Sequence, residues 1–192
     1  TADQFVNLTT NLGATASSID VSDNVAGLTE DGEDLSGADS VTLAITATGN
    51  HSAVTFDSDV SAITIADGAV ATISADLLDQ VRAASITGDG SYKIYDSYTD
   101  VIGMTNTGDL SGVTVELSDT NITADQFVNL TSTLGATASS IDISDDVAGL
   151  TEDGEDLSDA DSVTLAITAT GDHSGVTFDS DVSAITIASG AV

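Results

Sequence analysis

The chain contains a near-perfect internal repeat, and this repeat restricts the possible folds more than any other feature. Residues 1–70 align with residues 123–192, with eight differences among the 70 positions and 62 identities, whereas residues 71–122 occur once. Copies this similar must adopt the same local structure, and tandem copies of this kind build solenoids, fibres and stalks. The sequence therefore predicts a repeat unit over 1–122 and the start of the next, truncated unit over 123–192.

Both ends of the chain cut through the repeat. The second copy is preceded by Asn121-Ile122 in what reads as one element, NITADQF, where the first copy begins directly at Thr1. The first copy runs on past Val70 as ATISADLL, where the second copy stops. We interpret the chain as a window on a longer tandem array. The alternative is a short protein with one duplicated segment.

Short β-branched runs recur along the chain and predict strands. Alternating apolar residues, such as Ile63 and Ile65, fit strands with one buried face. The runs begin about 23 to 28 residues apart, which indicates one strand in each coil of a stack. The predicted strands cover residues 61–65, 85–87, 92–95, 113–117, 140–143 and 163–167.

Two segments between these runs have helix signals. Thr123 can cap a helix while Gln126 reaches back to it in a capping box, and Gly135 marks the end. Ser74 begins a similar segment that Gly88 would end. The apolar faces predicted for the two helices consist of Phe127, Leu130 and Leu134 in one, and of Leu77, Leu78, Val81 and Ala84 in the other.

Together these signals predict a repetitive solenoid, made mainly of short parallel β-strands with short helices. About five coils of about 24 residues would fill the 122-residue unit, and stacking them about 4.8 Å apart would bury their apolar faces. The alternative is a row of tandem β-sandwich domains, which the alternating strands also permit. The helix signals and the absence of Pro count against that alternative.

The net charge of the chain predicts that its partners are cations. The chain carries 32 Asp and Glu residues against two Lys and Arg residues, for a formal net charge of -30. Such a chain repels nucleic acids and anionic membrane surfaces, and no apolar run approaches the length of about 18 residues expected of a membrane span. Dense negative charge also repels itself, so we expect bound divalent cations or salt to stabilise the fold.

Acidic clusters at predicted turns supply candidate ligands for Ca2+. The ion takes roughly six to eight oxygen ligands, several of them carboxylates, so each cluster would need completion by a neighbouring coil or a second chain. The alternative is that these acids only solvate the surface. The candidate ligands are Asp31, Glu33, Asp34, Asp57 and Asp59 in the first copy, and Asp153, Glu155, Asp156, Asp179 and Asp181 in the second.

No catalytic constellation is recognisable, and we expect no enzyme. His51 and His173 occupy the same repeat position, and the chain has no Cys, so neither a His-based metal site nor a Ser-His-Asp triad has enough members nearby in sequence. We expect both histidines at the surface. An enzyme acting on polysaccharide would need a unique acid pair, marked by an insertion that breaks the repeat.

Four asparagines head the Asn-x-Ser/Thr triplet of N-glycosylation acceptors. The triplet at Asn50 is not kept in the second copy, which has Asp172 at that position. The possible glycosylation sites are Asn7, Asn50, Asn121 and Asn129.

In repeat style and composition, the whole chain resembles the repeat regions of large acidic prokaryotic surface proteins, namely giant adhesins, S-layer proteins and extracellular fibres. The shared features are near-identical tandem units, a bias to Thr, Ser, Asp, Gly and Val, no Pro or Cys, and almost no Lys or Arg. The resemblance implies an extracellular or cell-surface protein that Ca2+ stiffens.

Two functions follow as expectations from the repeat and this resemblance. The first is a structural segment of an extracellular fibre, sheath or surface layer that assembles from copies of itself, stabilised by divalent cations. The alternative is the stalk or spacer of a calcium-dependent adhesin whose binding domain lies outside this chain.

Overall fold

The computed structural model describes residues 1–15, 18–29, 34–151 and 156–191. The chain divides into two compact units, the first comprising Thr1–Ile94 with Met104–Asp109 and the second comprising Tyr95–Gly103 with Leu110–Val192. Short parallel strands and short helices make up both units, as the sequence predicts at this coarse level. No helix within the described ranges is both long and apolar enough to cross a membrane.

Among its described residues, the first unit contains two α-helices and two sets of parallel strands. Strands β1, β2, β4 and β6 follow one another in one sheet, and β3, β5 and β7 pair in that order. Strand β7 begins in the first unit, and its last two residues belong to the second. The elements are α1 (Ala2–Val6), β1 (Asp20–Asp23), β2 (Ser40–Ile45), β3 (Gly49–Asn50), β4 (Ala62–Ile65), β5 (Val70–Ile73), α2 (Ala75–Val81), β6 (Ile86–Thr87) and β7 (Ser91–Asp96).

The second unit repeats the first sheet in part. Strands β10, β11 and β12 form a parallel sheet in that order, and β8 pairs in parallel with β9. The elements are α3 (Tyr98–Gly103), β8 (Thr114–Leu117), α4 (Ala124–Val128), β9 (Thr137–Ala138), β10 (Asp142–Asp145), β11 (Ser162–Ile167) and β12 (Ala184–Ile187). Since β-sandwiches are built from antiparallel sheets, the parallel pairing in both units does not fit the alternative of tandem sandwiches.

Paired strands lie a nearly constant distance apart along the chain. Val21 of β1 lies opposite Val41 of β2, 20 residues later, and β10 pairs with β11 in the same register. Ile63 of β4 lies opposite Ile86 of β6, a separation of 23 residues. This spacing is slightly shorter than the predicted coil length, and it brings equivalent positions of successive strands into contact.

The core consists of aliphatic side chains on one face of these strands. Val41, Leu43 and Ile45 of β2 are buried and alternate with partly exposed residues, and Ile63 and Ile65 of β4 continue the pattern. Residues two apart in a strand face the same side, so parallel pairing in register stacks them into an apolar layer. Each fully buried side chain of this size contributes about 1.5–3 kcal/mol.

The predicted capping boxes are confirmed in both copies. In the second, the N–H of Gln126 donates to the Thr123 hydroxyl at 3.3 Å, and the N–H of Thr123 donates to the Gln126 side chain at 2.9 Å. Phe127 and Leu130 are fully buried, as predicted, whereas Leu134 is partly exposed.

Each capped helix widens into a π-helical turn, which the sequence did not predict. After α4 this turn covers Asn129–Thr133, and after α1 it covers Asn7–Asn11. The Thr131 hydroxyl donates to the Phe127 carbonyl at 2.9 Å, competing with the backbone hydrogen bond that an α-helix would make there. Gly135, at φ 72°, follows the turn and ends the segment as predicted.

Helix α2 begins as predicted but ends early. Ser74 accepts a hydrogen bond from the N–H of Leu77 at 3.1 Å, and the predicted Leu and Val side chains are buried. The helix stops at Val81, so the prediction that it continues to Ala84 is wrong, and Ala84 is exposed. Arg82 follows the helix with a φ of 68°, and its side chain forms an ion pair with Asp109.

The predicted strands are found with boundaries that mostly shift by one residue. The largest shift is at 140–143, where β10 instead covers Asp142–Asp145. Ser140 has φ 55°, a left-handed conformation that cannot belong to a strand, so β10 begins after it. Strand β5 was not predicted, although Ala71 and Ile73 are completely buried.

Candidate functional site

Two of the predicted acidic segments come together in the first unit. The N–H of Asp59 donates to the Asp57 carboxylate at 2.7 Å, and Asp59 itself accepts a backbone hydrogen bond from Leu35. Burial raises the pKa of Asp59, and the nearby charges of Asp57 and Asp34 raise it further. We call Asp34, Asp57 and Asp59 the acidic cluster. The predicted clusters were separate in sequence, and the fold joins them.

Asp34 also has a local role in its turn. Its carboxylate accepts hydrogen bonds from the Ser36 hydroxyl at 2.5 Å and from the Ser36 N–H at 3.2 Å, which lower its pKa. Asp156 makes the same two bonds with Ser158 in the second copy, and its pKa is lowered for the same reason. These two acids therefore stabilise turns, whether or not they also bind a cation.

The calcium prediction extends to residues on which the structure gives no geometry. Asp31, Glu33, Asp153 and Glu155 lie outside the described residues. Within the described ranges, no group of three or more His, Asp or Glu side chains is arranged to hold a metal ion. Asp179 accepts from the N–H of Asp181 at 2.8 Å, as Asp57 does from Asp59. The assignment of these ten residues to Ca2+ stays a prediction.

Replacing Asp59 with Asn is expected to stabilise the chain at pH 7. Because folding raises the pKa of this carboxyl group, stability falls as the pH rises from the reference pKa of 3.8 through the folded pKa. An asparagine at this position would keep an oxygen to accept from Leu35 but carry no charge. The gain is at most about 1 kcal/mol, since solvent screens a partly exposed group. Urea unfolding at pH 7 and pH 3 measures it.

The matched control is Asp67→Asn. Asp67 is exposed, and the second copy has Ser189 at that position, so the change removes one charge without disturbing the acidic cluster. We expect no change in stability for this control and no gain for Asp59→Asn at pH 3. Equal changes in the free energy of unfolding for both variants at pH 7 would contradict a raised pKa of Asp59 in the folded chain.

A second group of acids holds backbone N–H groups in neighbouring segments, a role that the sequence analysis missed. Asp23 accepts from the N–H of Ala2 at 3.0 Å, and Asp145 accepts from the N–H of Ala124 at 2.9 Å, each across 21 residues. These bonds satisfy free N–H groups at the first turns of α1 and α4. The sequence contains a signal for this role, because an Asp lies 21 residues after the helix start in both copies.

Two further acids act in the same way in the first unit. Asp79 accepts from the N–H groups of Thr105 and Asn106 at 3.0 and 3.1 Å, and these bonds lower its pKa. Asp109 accepts from the Nε of Arg82 at 2.7 Å and from the N–H of Ala83 at 3.2 Å. The hydrogen bond and charge of Arg82 lower the pKa of Asp109.

The histidines are less exposed than predicted. His51 and His173 are partly buried, and in each the Nε2 atom is buried without a hydrogen-bond partner among the described residues. The prediction of simple surface histidines is therefore wrong. The ring of His51 packs so closely on Gly49 that a Cβ there would lie 3.0 Å from it, and Gly171 is equally close to His173.

Each histidine borders a shallow, mostly apolar pocket. The pocket beside His51 has a volume of about 400 Å3, and Ala44, Ile45 and Ala47 contribute to its wall. The equivalent pocket beside His173 measures about 150 Å3. Besides its histidine, the first pocket is lined by Asn24 and the second by Asp146, and neither pocket is lined by a second His.

The predicted glycosylation sites differ in accessibility. Asn7, Asn50 and Asn121 are at least partly exposed, whereas the Nδ2 of the partly buried Asn129 donates to the Tyr98 hydroxyl at 3.0 Å. Since N-glycans attach to that nitrogen, the Tyr98 bond would have to break before Asn129 is modified. Glycosylation at the other three positions stays a prediction.

Comparison with known proteins adds no relative to these observations. No protein-family model matches the chain, and neither curated proteins nor solved structures include a similar one. The functional argument therefore depends on the repeat, the parallel register and the roles of the acids.

Proposed function

We propose that this chain is a structural segment of an extracellular fibre, sheath or surface layer, folded as a solenoid that assembles with copies of itself. The observation that carries the proposal is the strand register. Parallel partners lie 20 to 23 residues apart, and β1–β2 and β10–β11 repeat the same register in the two copies. A coil that repeats in this way contacts only its neighbours, which suits a protein extended in one direction.

The acids that link neighbouring segments support a load-resisting role. Asp23 joins the start of α1 to β1, and Asp145 joins the start of α4 to β10. Asp79 joins α2 to residues 105–106, and Asp109 accepts from Arg82 and Ala83 directly after α2. Such charge-assisted hydrogen bonds are stronger than neutral ones. Repeating them in every copy would resist separation of the coils.

Divalent cations are the second part of the proposal. The formal net charge is -30, and Arg82, one of only two Lys and Arg residues, already pairs with Asp109. Charges of one sign at this density repel one another. Burial raises the pKa of Asp59 most, and the charges of Asp57 and Asp34 raise it further. Cations bound near the acidic cluster would reduce the repulsion between its carboxylates. The extracellular location is an inference from the resemblance in composition and repeat style.

Calcium is expected to raise the thermal midpoint of the chain and to promote ordered filaments or sheets. The measurement is thermal unfolding at fixed ionic strength in EGTA, in millimolar Mg2+ and in millimolar Ca2+, with the same samples imaged by electron microscopy. A rise with Ca2+ but not with Mg2+, accompanied by assembly, is the expected result. Because ionic strength is constant, general screening cannot produce this difference.

A pair of double variants assigns the effect to the acidic cluster. Asp57→Asn with Asp59→Asn removes two of its charges, whereas Asp67→Asn with Asp89→Asn removes two exposed charges elsewhere. Only the first variant should lose part of the calcium response, because the equivalent acids of the second copy, Asp179 and Asp181, keep their charges. If the chain is equally folded and unassembled with and without Ca2+, the fibre proposal fails, and the spacer of a calcium-dependent adhesin becomes the better interpretation.

A further inference from the structure

The turn between β4 and β5 contains an exposed Asp-Gly pair. Asp67 and Gly68 are both exposed, and the N–H of Ala69 donates to the Ala66 carbonyl at 3.0 Å across the turn. Gly68 has φ 73°, and a Cβ added there would meet no atom within 4 Å. Among the described residues, neither the N–H of Gly68 nor the Asp67 carboxylate has a hydrogen-bond partner. Both groups are therefore accessible to each other and to water.

A second Asp-Gly pair, between β6 and β7, provides a contrast. Asp89 is exposed like Asp67, but the N–H of Gly90 donates to the Ile65 carbonyl at 3.2 Å. A Cβ added to Gly90 would overlap the Ile65 side chain and lie 2.8 Å from the Ala69 carbonyl oxygen, so the backbone here is tightly packed. The two pairs have the same chemistry, but only the second glycine is held by its neighbours.

We propose that Asp67 is a site of spontaneous covalent modification, at which its carboxyl group condenses with the backbone nitrogen of Gly68. The nitrogen attacks Cγ of the neutral carboxylic acid, an N–C bond forms, a C–O bond breaks, and the departing hydroxyl takes the N–H proton away as water. Water then opens the resulting succinimide ring. Opening at the side-chain carbonyl restores aspartate, whereas opening at the backbone carbonyl gives isoaspartate, in which the chain runs through Cγ.

Two features suit this pair to the reaction. Glycine has no side chain to obstruct the attack, and its backbone rotates more freely than that of other residues. In an exposed turn, the carboxyl group and the nitrogen can change their orientation without displacing buried atoms. Water is the only molecule released and the only one taken up, so the mass of the chain is unchanged. The inference goes beyond the proposed function and holds whether or not the chain assembles.

The second copy has the same turn without this reactive pair. Ser189 replaces Asp67, yet the N–H of Ala191 donates to the Ala188 carbonyl at 3.0 Å, and Gly190 has φ 93°. Serine has no carboxyl group and cannot form the ring. The turn therefore forms without the aspartate, and only the first copy can be modified at this position.

Isoaspartate would disturb the strand that follows the turn. It adds one CH2 group to the backbone between Ile65, at the end of β4, and Val70, at the start of β5. The N–H of Val70 donates to the Thr48 hydroxyl at 3.0 Å and Ala69 is buried, so a longer turn would strain contacts that hold β5 in place. We expect the modified chain to unfold at a lower urea concentration than the unmodified chain.

Peptide mapping of an aged sample tests the site directly. The full chain is kept for several weeks at physiological temperature and neutral pH. Trypsin cleaves after Arg82 and Lys93, which places Asp67 and Asp89 in different peptides, and electron-transfer fragmentation distinguishes isoaspartate from aspartate. We expect isoaspartate to accumulate about fivefold or more faster at Asp67 than at Asp89, because the Gly90 N–H must first break its hydrogen bond.

The same chain unfolded in guanidinium chloride is the matched control, because both pairs are then flexible and should react at similar rates. Asp67→Ser, which copies Ser189, should abolish the modification at this position and the fall in the urea midpoint that ageing causes there. Asp67→Asn should form the ring faster, releasing ammonia in place of water, so this variant is freshly prepared for any other measurement. The remaining Asp-Gly pairs, at Asp31 and Asp153, lie outside the described residues.

The outcomes decide whether the fold exposes Asp67 to this reaction. Faster modification at Asp67 than at Asp89 in the folded chain, together with similar rates in the unfolded chain, supports the proposal. Similar rates in the folded chain, a difference that persists unchanged after unfolding, or isoaspartate at Asp67 only in the unfolded chain overturns it. Because the measurement requires neither calcium nor assembly, each of these results leaves the proposed function unaffected.

Discussion

Replacing Gly88 with Ala is expected to destabilise the first unit by about 3 kcal/mol or more, one of the largest effects of any single methyl group in this chain. Gly88 has φ 99°, where a side chain is strained, and an added Cβ would overlap the backbone of Ile65. The Ile65 carbonyl accepts from the N–H of Gly90, so moving this backbone would also disturb the connection between β4 and β7. Urea unfolding followed by circular dichroism measures the loss.

A comparison with Gly68→Ala separates the cost of backbone strain from the cost of steric overlap at Gly88. Gly68 has φ 73°, and an added Cβ would meet no atom within 4 Å. This control should therefore lose only the cost of a left-handed residue, about 1–2 kcal/mol. Equal losses for both variants would mean that the backbone of Ile65 moves aside easily, and that the close contact at Gly88 is unimportant.

The second large effect is expected at Ile63, where truncation to Ala should cost about 2–5 kcal/mol. Ile63 is fully buried between β2 and β6, so the missing atoms would leave a cavity in the apolar layer. Unfolding in urea, at a protein concentration where the chain is monomeric, gives the loss in free energy.

The repeat supplies the control within the same molecule. Ile185→Ala makes the same chemical change in the same local sequence, but Ile185 is 61% exposed, so the loss should stay within about 0.5 kcal/mol. Similar costs in the monomer would contradict the difference in burial.

The sequence predicted those parts of the fold that depend on short-range chemistry. The capping box of Thr123 and Gln126, and the apolar alternation at Ile63 and Ile65, each involve residues within a few positions of one another. Both were confirmed because the local pattern and the final packing favour the same structure. The parallel pairing was also predicted, whereas the solenoid itself stays a prediction.

The sequence did not predict features that depend on distant residues. Arg82, directly after α2, pairs with Asp109, 27 residues away, and no local signal predicts this pair. Likewise, Asp34 precedes β2 and Asp59 precedes β4, and these two strands pair, so the acidic cluster depends on their pairing. Residue type identified the acids as important, but only the fold distinguishes those that cap helices from those that crowd one another.

The constant register has a consequence for how such a chain folds. Every strand finds its partner about 20 residues away, roughly a tenth of the chain length, so the loops that must close are short. Adding further repeats would lengthen the protein without lengthening any of these loops. A new strand could therefore pair with the last one while the rest of the chain is still emerging from the ribosome, and the folding time would increase only in proportion to the number of repeats.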